Sequence, residues 1–215
     1  MMDYRPVVSA PPRLTELRLA AEPSAWKDGG FRVKGHEVVI GSVRLILEGT
    51  DAGRGVVGWS FAEAIPAGAL DGLPDPAVRP APEPGGDHPN GIAAVDHVVA
   101  LTPDLERTVT ALLGAGFDLR RRRGEPTATG QGPQAFFRAG DAVLEVVHHE
   151  RAADSAATAR LWGIALLAPD LDVTASRVGP AIGEVRGAVQ PGRRIATFAR
   201  GAGLGLPVAV LSPRA

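Results

Sequence analysis

Two stretches of this 215-residue chain are copies of one structural module, and this repeat constrains the fold more than any single motif does. Residues 95–105 (VDHVVALTPDL) align with residues 161–171 (LWGIALLAPDL) at an offset of 66 residues. Each copy starts with an apolar, strand-like run, passes through Pro-Asp-Leu, and continues with a helix-like segment and Gly-punctuated strands. A repeat of this length predicts two supersecondary modules that complete one core together.

The pattern of apolar residues predicts the order β-α-β-β-β in both copies. In the first copy Asp104 is the predicted N-cap of a helix that reaches residue 113, with Leu105, Val109 and Leu112 at helical spacing. The predicted strands and helices are, in the first copy, strand 92–101, helix 104–113 and strands 117–123, 134–138 and 142–148; in the second copy, strand 161–167, helix 170–178 and strands 188–189, 194–199 and 208–211.

The N-terminal region is a weaker, third copy of the same order, with a short helix that Gly29 and Gly30 interrupt. Residues 66–90 are dense in proline, which removes backbone donors and disfavours helix, so they are predicted to form an extended linker. The predicted fold is α+β, with tandem βαβββ modules that form a curved mixed β-sheet cup and a degenerate N-terminal module. The predicted boundaries are 1–65 for the degenerate module, 66–90 for the linker and 91–215 for the paired modules, which themselves span 91–150 and 160–215.

Composition excludes several classes of protein. The net charge of −1 gives no global attraction to nucleic acid or to an anionic membrane. Cysteine is absent, which excludes disulfides and thiolate metal sites. We find neither a signal-peptide pattern nor an apolar run of the ~20 residues that a membrane span needs, so a cytoplasmic protein is expected. The preference for Arg, Ala, Gly and Pro is typical of a GC-rich bacterial genome.

With these tandem modules, the strand that contains Asp96-His97 and the closing strand that contains Glu145, the chain resembles the vicinal oxygen chelate superfamily. That superfamily includes glyoxalase I, extradiol dioxygenases, and fosfomycin- and bleomycin-resistance proteins. The resemblance covers residues 91–213 well and 14–63 loosely. It implies a cup formed by two modules, with a metal site built from the first and last strands of each module.

Carried over to this sequence, the resemblance places one metal ligand at His97 and another at Glu145. Imidazole and carboxylate suit Fe, Mn, Ni or Zn. The corresponding positions in the second module are Gly163 and Ala209, whose side chains cannot bind a metal. The cofactor is therefore either none or a divalent metal, and a structural alternative is that Glu145 accepts a hydrogen bond from His97 or from a nearby arginine.

Further candidate ligand contacts come from aromatic and basic residues. Phe137 and Trp162 lie on predicted strands, and Trp162 precedes the glycine that replaces a ligand. Arg193 and Arg194 follow a predicted Gln-Pro-Gly turn and could reach an anionic ligand.

Two functions follow from the resemblance. The first is a glyoxalase-like protein that binds a small organic molecule in the cup without a complete metal site, as bleomycin-resistance proteins do. The second is a metal-dependent lyase, isomerase or dioxygenase with a reduced site at His97 and Glu145, so whether the protein is an enzyme stays open. The N-terminal module has no internal partner and carries apolar strand faces, which predicts a homodimer.

Overall fold

The structure, a computed structural model, describes residues 10–124, 132–149 and 157–214 and contains two mixed β-sheets. The N-terminal sheet consists of β1 (Leu14–Leu19), β2 (Glu37–Ile40), β3 (Val43–Leu47), β4 (Val56–Phe61) and β5 (Ala77–Val78). The C-terminal sheet consists of β6 (Ala94–Thr102), β7 (Asp118–Arg123), β8 (Gln134–Ala139), β9 (Ala142–His148), β10 (Arg160–Leu167), β11 (Arg186–Gly187), β12 (Arg194–Thr197) and β13 (Val208–Leu211). The helices are α1 (Pro23–Asp28), α2 (Leu105–Gly114) and α3 (Leu171–Val178), with 3₁₀ turns at Thr50–Ala52, Gly179–Ala181 and Arg200–Ala202.

The C-terminal sheet has the strand order β11-β12-β13-β10-β6-β9-β8-β7. In each half the first strand lies parallel to the last strand of the same module, with the helix between them in sequence. The two halves join where β6 and β10, the two repeated runs, pair antiparallel at the centre of the sheet. The predicted α+β fold of tandem βαβββ modules is therefore confirmed.

Both main helices begin at the repeated Pro-Asp pair. The Asp104 side chain accepts a hydrogen bond from the Arg107 backbone N–H, and Asp170 accepts one from the Val173 N–H, each at 3.0 Å. These caps satisfy one of the amide donors that every helix leaves free in its first turn. The helix faces that pack onto the sheet are apolar, with Val109 and Leu112 fully buried on α2.

The N-terminal sheet has the order β2-β3-β1-β4-β5 and repeats the larger sheet in reduced form. As in a full module, β1 and β3 are parallel, and β2 and β3 form a hairpin. A single bridge between Lys34 and Glu37 stands where a full module has its second strand. β4 then pairs antiparallel with β1, and β5 lies parallel to β4, as first and last strands do elsewhere. The Pro-rich stretch thus supplies the short strand β5. We propose residues 65 and 90 as the boundaries between the N-terminal module, the linker and the paired modules.

One hydrophobic core joins the two sheets. The Phe61 and Phe117 rings meet edge to face with centroids 5.5 Å apart, and the Trp26 indole N–H donates to the Leu204 carbonyl at 3.3 Å. The apolar residues of the N-terminal hairpin are buried in this core, so they do not need a second copy of the chain to cover them. These residues are Val38, Ile40, Val43, Leu45 and Leu47. Among the described residues, no helix is long and apolar enough to cross a bilayer.

Candidate functional site

The open face of the C-terminal sheet carries two adjoining concavities. One, which we call the outer groove, has a volume of about 520 Å³ and lies at the start of β6. The other, which we call the inner cavity, has a volume of about 120 Å³ and lies between strands of the two modules. His97, Phe136 and Gln190 line both. We call the two together the cup.

Four charged side chains form a continuous chain of contacts from the groove into the inner cavity. Arg193 donates from Nη2 to Asp96 Oδ1 at 2.6 Å. Asp96 Oδ2 lies 2.8 Å from His97 Nδ1, and His97 Nε2 lies 3.1 Å from Glu145 Oε2. A neutral imidazole has one N–H, so two close carboxylates require one further proton on the ring or on a carboxyl group.

A β-bulge brings Asp96 beside His97. Neighbouring residues of a strand normally face opposite sides, but His97 pairs with Ala165 and Val95 pairs with Leu166, which leaves Asp96 without a partner in the ladder. The extra residue redirects the Asp96 side chain toward its neighbour. The second module carries the same bulge at the equivalent position, where Trp162 is the unpaired residue.

The two carboxyl groups experience opposite electrostatic environments. Burial alone would raise the pKa of Asp96, but hydrogen bonds from His97 and Arg193 lower it to about 2. Burial raises the pKa of Glu145 above its usual value, because the opposing influence of His97, Arg123 and Arg121 does not compensate for lost hydration. Asp96 therefore keeps its charge to a lower pH than an exposed aspartate does, whereas Glu145 keeps its proton to a higher pH than an exposed glutamate does.

Comparison with known proteins gives structural similarities only. No protein-family model matches the sequence, and no curated protein matches it. Methylmalonyl-CoA epimerase from Mycobacterium tuberculosis aligns with a TM-score of 0.48 and 16% identity, over 58% of this chain and 91% of the epimerase. A Streptomyces coelicolor methylmalonyl-CoA epimerase in complex with 2-nitronate-propionyl-CoA aligns with a TM-score of 0.47 and 19% identity, over 58% of this chain and 99% of the epimerase. A hypothetical protein from Bacillus halodurans aligns with a TM-score of 0.47 and 13% identity, over 56% of this chain and 94% of that protein.

The structure brings His97, Glu145 and Arg193 together and separates the other predicted residues from them. Arg193 is almost fully buried and also donates to the Ser212 carbonyl at 2.7 Å, so its role here is to hold Asp96. Arg194 is exposed and forms a two-pronged ion pair with Asp172, at 2.9 and 2.7 Å.

The two predicted aromatic contacts lie outside the cup. Phe137 is fully buried in the core and packs edge to face on Phe117, whereas its neighbour Phe136 lines both concavities. Trp162 is 40% exposed and is not among the residues that line either concavity. Trp162 is the unpaired residue of the bulge in the second module.

Asp96, Phe136 and Arg121 line the cup and were not among the predicted ligand contacts. The predicted strands 134–138 and 142–148 contain the missing signal for Phe136, since a tight turn between them pairs residue 136 with residue 145 and places both on one face. The same reasoning continued one strand further reaches Arg121, the partner of Phe136. Asp96 depends on the bulge, which the sequence pattern did not reveal.

A catalytic divalent metal does not fit the donors that the described residues supply. Catalytic zinc sites typically have three protein ligands. Among the residues that the structure describes, no group of three or more His, Asp or Glu side chains could hold a metal ion. Both ring nitrogens of His97 contact carboxylates, and Arg123 and Arg121 lie close enough to Glu145 to influence its charge.

The backbone also opposes a metal ligand at Gly163. A methyl group added there would lie 2.7 Å from the Pro207 carbonyl oxygen, which is closer than real side-chain carbons approach. The position that corresponds to His97 in the second module is therefore closed to any side chain unless the strand after Pro207 shifts.

Proposed function

We propose that this protein is a member of the vicinal oxygen chelate superfamily, of the glyoxalase-like kind, that binds a small organic molecule in the cup without a resident metal. The paired βαβββ modules and the concave face between them support the superfamily assignment. Small-molecule sites are typically concave and largely apolar, with a few converging polar groups. The cup has this character.

The observation that carries the proposal is the His97–Glu145 contact at the junction of the groove and the inner cavity. Its two hydrogen-bonding groups come from the first module, whereas the second module presents Ala165 and Ala209 to the same cavity. The first module therefore offers an ionisable pair, and the second module offers mainly small or apolar side chains with Gln190 as a polar contact, which suits an organic ligand better than a metal ion. Asp96 and Arg193 fix the orientation of His97, so its ring is held in place before a ligand arrives.

Metal analysis together with fragment binding tests the proposal. Protein purified without a polyhistidine tag is expected to contain far less than one metal ion per chain, and added Ni²⁺ or Mn²⁺ should not raise its Tm. Fragments of fewer than about ten heavy atoms should perturb NMR signals of cup residues in the wild type. Ala209→Phe fills the inner cavity and should abolish that binding, whereas Leu113→Ala, an exposed position on α2, should preserve it.

Stoichiometric Fe, Mn, Ni or Zn that disappears in His97→Ala would instead establish the metal-dependent lyase, isomerase or dioxygenase. Failure of every fragment to bind in an Ala209→Phe-sensitive manner would refute the small-molecule function.

A further inference from the structure

We infer that the ligand of the cup is a short organic acid, whose anionic group binds Arg121 and Arg214 in the outer groove and whose uncharged end enters the inner cavity beside Glu145. This inference rests on the proposed function and adds the chemical class and the orientation of the ligand. It depends on three observations: the charges of the groove, the row of residues across the sheet, and the size of the inner cavity.

The groove has an excess of positive charge, although the chain as a whole has a net charge of −1. Four arginines line it, of which Arg193 is engaged by Asp96 and Arg120 by Asp118. Within the described part of the chain, Arg121 and Arg214 form no ion pair. One further acid of the groove, Asp141, is also without an ion pair there, which leaves two available guanidinium groups against one carboxylate. Such a concave cationic surface attracts and concentrates anions.

Arg121 is held in position for an anion. Its guanidinium carbon lies 5.0 Å from the centre of the Phe136 ring, in a cation–π contact. This contact pairs the guanidinium with a ring and with no carboxylate, so its N–H groups can still bind an anionic carboxylate with two hydrogen bonds. Arg121 is therefore pre-ordered without being neutralised.

Arg121, Phe136 and Glu145 form one row across three neighbouring strands. Phe136 pairs with Arg121 on one side and with Glu145 on the other. Neighbouring strands are about 4.8 Å apart, so the backbones of Arg121 and Glu145 are separated by roughly 10 Å. A ligand that contacts both side chains is therefore short and lies across the Phe136 ring.

The inner cavity limits the other end of the ligand. Its volume of about 120 Å³ holds about four heavy atoms, given the roughly 30 Å³ that a water molecule occupies in the liquid. Ile195, Ala209 and Leu211 make most of its wall apolar. Glu145 supplies a polar contact beside this apolar wall: its carboxyl accepts from a hydroxyl when ionised and donates to a carbonyl oxygen when protonated, and burial raises its pKa so that it keeps the proton to a higher pH than an exposed glutamate. A second carboxylate at this end would instead disfavour ionisation of Glu145 and of itself.

Matched acid and amide pairs test the inference, because each pair differs in charge and hardly in shape. Butyrate with butyramide, and benzoate with benzamide, are titrated into ¹⁵N-labelled protein by NMR at low salt. Each acid should bind with a Kd at least tenfold lower than its amide, and Arg121→Met should remove this difference. Arg121→Lys, which keeps the charge but not the paired N–H edge, should fall between. Arg122→Met is the matched control, since Arg122 is the next residue of the same strand and pairs with Glu106 outside the groove.

The outcomes distinguish a failure of this inference from a failure of the proposed function. Equal binding of acids and amides, or acid binding unchanged in Arg121→Met, overturns the ligand class while the small-molecule function stands. Acid binding that persists in Ala209→Phe shows an anion on the arginine surface only and also overturns the inference. If no probe binds in the cup at all, the inference and the proposed function fail together.

Discussion

The two modules of the C-terminal sheet share a backbone but not a chemistry. Both have an Asp-capped helix, a parallel first and last strand, and a bulge at the same place in the first strand. In the first module the bulge residue is Asp96, the next residue is His97, and the last strand carries Glu145. The corresponding residues of the second module are Trp162, Gly163 and Ala209.

This difference shows that framework and site are specified by different residues. The framework depends on buried apolar positions and on the two caps, which both copies retain. The polar site depends on three positions that can change without altering the strand order. The packing of the second module also leaves no room for a side chain here, because the Pro207 carbonyl oxygen lies 2.7 Å from where a Cβ at Gly163 would be.

The largest effect is expected from Asp96→Asn. The Arg193 side chain is only 5% exposed, and removing the charge of its partner leaves a buried cation without compensation. Unfolding free energy from urea denaturation at pH 7 should fall by about 3–5 kcal/mol. The matched control is Asp172→Asn, which leaves the exposed Arg194 without its partner and should cost far less, because water solvates both groups of that pair. An equal fall in unfolding free energy for the two variants would mean that the buried contact between Asp96 and Arg193 stabilises the protein no more than an exposed ion pair does.

The same variant should also change the acid limb of the stability curve. The pKa of Asp96 is about 2 in the folded protein, against an ordinary value of 3.8 for an aspartate in the unfolded chain. The stabilisation from its charge is therefore present above pH 4 and is lost as the pH falls toward 2. Over this range the unfolding free energy of the wild type, from urea denaturation, should fall by about 2 kcal/mol more than that of Asp96→Asn.

An intermediate effect is expected from Gly163→Ala in the second module. The added methyl group would meet the Pro207 carbonyl, so the strand must shift, at a cost of about 1–3 kcal/mol. Gly187→Ala is the control, because a methyl group there meets nothing within 4 Å. Thermal melts of the two variants make the comparison. A Gly163→Ala protein as stable as the wild type would mean that the second module can accept a side chain, and hence a metal ligand, at this position.

The smallest change in stability is expected from Glu145→Gln, because the glutamine keeps the shape and removes a charge whose burial is unfavourable. The expected change at pH 7 is at most about 1–2 kcal/mol. The raised pKa of Glu145 makes the wild type lose stability as the pH rises from the unfolded-state value through the folded-state value. Glu145→Gln should therefore gain stability relative to wild type as the pH rises above the ordinary glutamate pKa, as measured by urea denaturation, whereas Glu184→Gln, at an exposed position, should not. A fall in unfolding free energy of more than about 3 kcal/mol would show that Glu145 has a structural role.

Much of the fold was predictable, because it depends on local signals. The repeated Pro-Asp-Leu gave both helix starts, and the 66-residue offset gave the equivalence of the two central strands. The reduced copy at the N-terminus was also evident from its strand pattern. The role of Ala77–Val78 as a strand was not, since two residues in a Pro-rich stretch have no periodicity and acquire their structure from pairing with β4.

The site was less predictable, because it depends on register and on a bulge. The resemblance to the vicinal oxygen chelate superfamily pointed to His97 and Glu145, and the structure places them in contact. Phe137 was chosen over Phe136 because strand alternation divides the two between faces without saying which face is which; the pairing with Glu145 decides it. Asp96 could not be found by alternation at all, since the bulge violates the rule on which that reasoning depends.

The hydrogen bond from Trp26 to Leu204 has a consequence for how the chain is made. Its two residues are 178 positions apart, and at roughly 5–20 residues per second a ribosome needs about 10–35 s to connect them. During that time the hairpin of β2 and β3 is outside the ribosome while the later strands that complete its shared core do not yet exist. We expect the newly made N-terminal half to depend on chaperones and to be degraded or to aggregate when translation stalls before β13, whereas the finished chain unfolds as one cooperative body.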